Sequence, residues 1–120
     1  DSAVLAQQRS DSVLAARTRE APALLQEARG VMVQILAKPA TASFDSLRVM
    51  QPAVRDGVWP PPAVCGRLGG KPGVKGAAGM TPFVYFNKMT VFVRDQKNQV
   101  AFGELYGKTC SAAGGRVLVG

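Results

Sequence analysis

Cys65 and Cys110 stand 45 positions apart in a chain that has no histidine. That pair constrains the fold more than any other feature. Neither cysteine has a second thiol within a few residues, and the missing histidine removes both the usual thiol-activating base and the commonest metal ligand. A lone, widely spaced pair in a small domain is expected to be a structural disulfide, and so to mark an extracytoplasmic protein. With 13 glycines and 8 prolines among 120 residues, the core is small. Such a core gains most from a staple: closing a loop of this length is worth roughly 4 kcal/mol in the chain-entropy model. That is close to the whole net stability of a small domain.

Residues 1–20 are rich in Ala, Ser, Gln and Arg, and their apolar pairs, Val4-Leu5 and Val13-Leu14, hold no continuous helical face. They read as a flexible or weakly helical segment ahead of a single domain over 21–120. Within that domain the spacing predicts an amphipathic helix over 22–37, with Pro22 in its first turn and Pro39 ending it. Leu24, Leu25, Ala28, Val31, Met32, Ile35 and Leu36 form its apolar stripe, with Leu25, Met32, Ile35 and Leu36 expected inward.

The partner of that stripe is a sheet built from short strands. Leu47–Met50 alternates weakly as a first strand, Ala63–Cys65 is a second short strand, and the segment from Pro82 to Val93 is dense in strand formers, with Asn87-Lys88 as a tight turn or bulge. Asp95-Gln96-Lys97-Asn98 reads as a polar turn leading into Val100-Ala101-Phe102 as a returning strand. Val117–Val119 is either an edge strand or a loose tail. The fold class is α+β: an N-terminal helix on a small, mostly antiparallel sheet, with Phe44, Phe83 or Tyr85, and Phe92 facing the helix.

The segment from Gly66 to Gly79 holds six glycines and the cations Arg67, Lys71 and Lys75, with no acidic residue. Glycines let backbone N–H groups converge on an anion, and three cations would complement it. The same composition also describes a solvated connection between strands. It is not a nucleotide-binding P-loop, because Pro72 occupies the Ser/Thr position. Phe83-Val84-Tyr85-Phe86 lacks the Lys/Arg-Gly-aromatic lead of an RNA-binding strand, so nucleic acid is not an expected partner. A serine nucleophile would need a lysine base, and no Ser-x-x-Lys spacing occurs. The carboxylates open to glycosidic chemistry, Asp45, Asp56, Asp95 and Glu104, fall at turns and strand ends. Trp59, beside the Pro60-Pro61-Pro62 run, is either a recognition aromatic or a lid on the core edge.

Residues 36–110 resemble a group of small secreted or periplasmic bacterial proteins of uncharacterised function. The resemblance rests on Pro39-Ala40-Thr41-Ala42-Ser43-Phe44 after a helix, where the group carries Pro-x-Ser-Ala-x-Phe. It continues in Cys65-Gly66, which opens a loop through Lys71, Gly76 and Gly79 to Phe83, and in a second cysteine, Cys110, after Tyr106. The group carries asparagines where Gly69 and Pro72 stand, and a tyrosine at Ala77. The resemblance implies an extracytoplasmic α+β domain with one disulfide, and no activity.

The formal charge of +7, from 15 Lys and Arg against 8 Asp and Glu, favours anionic partners. No stretch is long and apolar enough to span a bilayer. The first residue is Asp1, as expected after signal-peptide removal. The expectation is a monomeric, non-enzymatic binding module of the bacterial envelope, periplasmic or secreted, without cofactor or metal, whose partner is a protein or envelope component. The alternatives are an anion binder (phosphate, glycolipid or nucleic acid) acting through Arg67, Lys71 and Lys75, and a periplasmic enzyme inhibitor.

Overall fold

A computed structural model describes residues 2–71, 73–74, 79–111 and 115–120. The chain begins with one long helix, α1 (Ser2–Met32), which runs straight through Pro22. The sequence expectation of a helix starting at Pro22 is therefore corrected. Pro22 removes the N–H that would bond the carbonyl of Thr18. The surrounding Ala, Leu, Gln, Glu and Arg are strong enough helix formers to carry the turn across that loss. Upstream, Gln7 Nε2 donates to Asp11 Oδ1 at 2.9 Å, one helical turn apart. Residues Ser2–Arg9 are all exposed, so the first turns of α1 stand clear of the sheet.

The buried stripe of α1 is Ala21, Ala28 and Met32, with Leu24 and Leu25 half-buried beside it. After Met32 the chain tightens into a 3-10 turn, Val33–Ile35, and then Leu36 turns extended. Three residues per turn no longer keep the α-helical face. Ile35, expected inward, is accordingly 43% exposed, while Leu36 is buried at 4%. Leu36 packs against Gly70, where an added Cβ would fall 2.7 Å from Leu36 Cδ1.

Five strands follow: β1 (Ser43–Gln51), β2 (Ala63–Gly69), β3 (Thr81–Asn87), β4 (Thr90–Val93) and β5 (Arg116–Val119), in the order β4-β3-β2-β1-β5. Every pairing is antiparallel. Asn87 pairs with Thr90 across a two-residue turn, and the register shifts just before it. Asn87 Oδ1 accepts from the Met89 N–H at 2.8 Å and shapes the turn. Residues 117–119 belong to β5, an edge strand on β1.

The segment expected as a returning strand is instead a second helix, α2 (Gln99–Cys110). The polar turn before it is as expected: Asp95 Oδ1 accepts from the N–H groups of Lys97 and Asn98, and Asn98 Oδ1 accepts from that of Asp95. From there Phe102, Tyr106 and Cys110 recur every four residues, a helical stripe that outweighs the strand preference of Val100 and Phe102.

Alternation along the strands sends side chains to two cores. On the α1 face lie Val49, Val64, Leu68, Phe83 and Tyr85. Phe44 meets Phe83 edge to face at 6.2 Å, and the Tyr85 hydroxyl donates to Glu27 Oε2 at 2.6 Å. Burial and the neighbouring Glu27 carboxylate push the Tyr85 hydroxyl pKa well above the usual tyrosine value. On the α2 face lie Met50, Ala63, Cys65 and Val84 under Phe102 and Cys110. Phe92, expected to face α1, packs on Phe86 at 6.1 Å instead and is 42% exposed. The fold is α+β, with a helix on each face of an antiparallel sheet and the Cys65–Cys110 disulfide fastening α2 to β2.

Candidate functional site

Strand register puts Arg67 and Arg94 on the α2 face, and one irregularity in β1 brings Asp45 and Arg48 to the same face. Asp45 pairs with Arg67 and Arg48 with Cys65, so Ser46 and Leu47 together oppose the single residue Gly66. This is a β-bulge. Ser46 takes its left-handed conformation at φ 56°. Opposite it, Gly66 eases the close approach: a Cβ there would lie 3.1 Å from Leu47 Cδ1 and 3.2 Å from Leu47 Cα, tighter than an ordinary contact. Without the extra residue Asp45 and Arg48, three apart, would point to opposite faces. The bulge brings both to the α2 side.

Cross-strand partners share a face, so the register builds a continuous row there. Asp45 on β1 opposes Arg67 on β2, and Arg67 opposes Pro82 on β3. The Arg94 N–H, just past β4, donates to the Pro82 carbonyl at 3.2 Å and extends the row. The adjacent row is Arg48, Cys65, Val84 and Phe92. Arg67 and Arg94 lie two inter-strand spacings apart, about 10 Å across the intervening β3.

α2 crosses above these rows and is held at its C-terminal end. Its last residue, Cys110, is bonded to Cys65, with Cα atoms 5.9 Å apart. Arg48 Nη2 donates to the Cys110 carbonyl at 3.2 Å, and the guanidinium carbon sits 5.8 Å from the centre of the Tyr106 ring. A cation at the last helical carbonyl complements the helix dipole, and its contact with the ring is a cation–π pair. Arg48 Nη2 also reaches the Tyr106 hydroxyl at 3.3 Å, while Nη1 donates to the Ser46 carbonyl in the bulge at 2.7 Å. Arg48 is thereby committed to structure.

Arg94 is not, and among the described residues Arg67 is held only by the exposed carboxylate of Asp45. The two arginines edge an open groove of about 460 Å³ between α2 and the ends of β2 and β3. Its floor is Pro82 and Phe102, and its α2 wall is Gln99, Gly103, Tyr106 and Gly107. Gly103 and Gly107 lie one turn apart, and a Cβ on either would meet nothing within 4 Å. Each costs the helix about 1 kcal/mol relative to alanine without any packing need for it. Arg67 forms an ion pair with Asp45, both side chains remaining 47% exposed, and among the described residues Arg94 has no ion-pair partner.

The other cations named from sequence do not join this site. The Lys71 N–H donates to Thr41 Oγ1 at 2.8 Å, which ties that backbone to the 3-10 turn Pro39–Thr41, and the Lys71 side chain does not line the groove. Lys75 lies outside the described residues. The segment expected as a loop from Gly66 is still strand through Gly69. The sequence reading assigns none of Arg48, Arg94, Phe102, Gly103, Tyr106 and Gly107 to a site. The repeat of Phe102, Tyr106 and Cys110 is the signal that would have placed α2.

The carboxylates weighed for acid–base chemistry are dispersed. Asp45 is paired with Arg67, Asp56 sits at φ 53° in the Arg55–Val58 turn, and Asp95 caps the turn before α2. Among the described residues no group of three His, Cys, Asp or Glu side chains could hold a metal ion. No described helix is long and apolar enough to cross a membrane. Trp59 is half-buried and lines a cavity of about 160 Å³ with Leu14 and Gln51. There Gln51 Nε2 donates to the carbonyls of Pro52 and Pro60, leaving Oε1 buried without a partner among the described residues. No protein-family model matches the chain, and no curated protein or solved structure is similar to it.

Proposed function

We propose that this protein is an extracytoplasmic, non-enzymatic binding module of the bacterial envelope, and that its ligand surface is the cationic groove along α2. The observation that carries this reading is the row Arg67–Pro82–Arg94: two exposed guanidiniums flank an apolar floor, beneath a helix whose glycines keep the groove open. Guanidinium groups are suited to bidentate contact with carboxylate or phosphate. The overall charge of +7 adds long-range attraction for an anionic partner. The disulfide supports an oxidising compartment. This reading moves the anion site away from Lys71 and Lys75 and keeps only Arg67 of the three cations.

Calorimetric titration with 1-naphthyl phosphate, an oxyanion on an apolar body, tests the reading in three proteins. These are the unmodified chain, the R67Q/R94Q variant and the charge-matched K71Q/K88Q variant. Loss of at least tenfold in affinity in R67Q/R94Q, with K71Q/K88Q within twofold of the parent, is expected. Equal losses in both variants would reduce the effect to net charge and remove the groove from consideration.

A further inference from the structure

We infer that the groove takes a small ligand with one oxyanion head on an apolar body, and that this head enters by displacing Asp45 from Arg67. The inference rests on the groove being the ligand surface. Its first part comes from how little charge the groove carries: two arginines edge it, while the floor is Pro82 and Phe102 and the wall is the uncharged Gln99, Gly103, Tyr106 and Gly107. A polyanion would need cations spaced along its whole track. Here two cations flank an apolar strip, and their side chains are long enough to converge on one head from positions two strands apart. The open space over Gly103 and Gly107 leaves room for the body of the ligand against the helix.

The second part comes from the bulge. By bringing Asp45 onto the α2 face it sets a carboxylate of the chain itself on Arg67. That carboxylate makes the contact an incoming oxyanion would make, so it acts as an internal competitor. With both partners 47% exposed, the pair is weak and a ligand displaces it readily.

The test titrates inorganic phosphate, 1-naphthyl phosphate and 1-naphthoate into the unmodified chain, D45N, R67Q and D45N/R67Q, with circular dichroism confirming that each variant folds. Naphthyl phosphate should bind about tenfold tighter than inorganic phosphate, because its ring covers the apolar floor. D45N should tighten naphthyl phosphate about threefold, in keeping with the strength of an exposed ion pair. That gain should vanish in the R67Q background. The tighter of naphthyl phosphate and naphthoate names the head as phosphate or carboxylate. Inorganic phosphate binding as tightly as naphthyl phosphate would overturn the apolar body. Unchanged or weakened binding in D45N, or a gain that persists with R67Q, would overturn the competitor while leaving the groove as the site. If none of the three probes binds, the reading of the groove fails and this inference fails with it.

Discussion

Replacing Cys65 and Cys110 together by alanine removes the crosslink between α2 and β2, and the structure locates the effect. The crosslink closes a separation of 45 residues. In the chain-entropy model its loss costs about 4 kcal/mol, which for a domain of this length lowers Tm by about 15 °C. The damage should be local first. α2 rests on the sheet through Phe102, Leu105 and Tyr106 besides the disulfide, whereas the α1 face has the larger core. Amide hydrogen exchange should therefore show Gln99–Cys110 losing protection while β2 and β3 retain most of theirs. Urea unfolding measures the total. A loss below about 1 kcal/mol with α2 still protected would refute the reasoning, since ring packing and Arg48 would then suffice to hold the helix.

Three further outcomes follow from particular side chains. Met32→Ala should cost about 2–5 kcal/mol by urea unfolding, because Met32 is fully buried, whereas Ile35→Ala, at a 43% exposed position, should cost under about 1 kcal/mol. Folding holds the Tyr85 hydroxyl protonated, so its contribution is complete below the unfolded tyrosine value near pH 10 and is lost as pH rises beyond it. Stability against pH should fall more steeply above pH 10 in the parent than in Tyr85→Phe, and parallel curves would contradict a buried Tyr85 donating to Glu27. Gly103→Ala and Gly107→Ala should each raise stability by about 0.5–1 kcal/mol while weakening naphthyl phosphate binding, since each Cβ enters open groove space.

The sequence carried the fold further than the site, for identifiable reasons. Phe83 and Tyr85 alternate in a dense run of strand formers, and the cysteine pair has no rival partner, so the sheet and the staple were legible. Pro22 misled because a local rule for helix starts was overruled by propensity summed over the turns on either side. Val100-Ala101-Phe102 misled because three residues suit a strand, and only the four-residue spacing to Tyr106 and Cys110 shows the helix. Arg67 was legible as a cation. Its neighbours were not, because Asp45 and Arg94 come from distant segments and share its face only through strand register and the bulge at Ser46.

The most direct test of the central claim is an amide-resolved magnetic resonance titration of the full chain with 1-naphthyl phosphate. The account predicts saturable shifts centred on Arg67, Arg94, Gly103 and Gly107, with Lys71 and the N-terminal turns of α1 unmoved. Shifts spread evenly over the basic residues, or centred on Lys71 with the α2 groove silent, would contradict it.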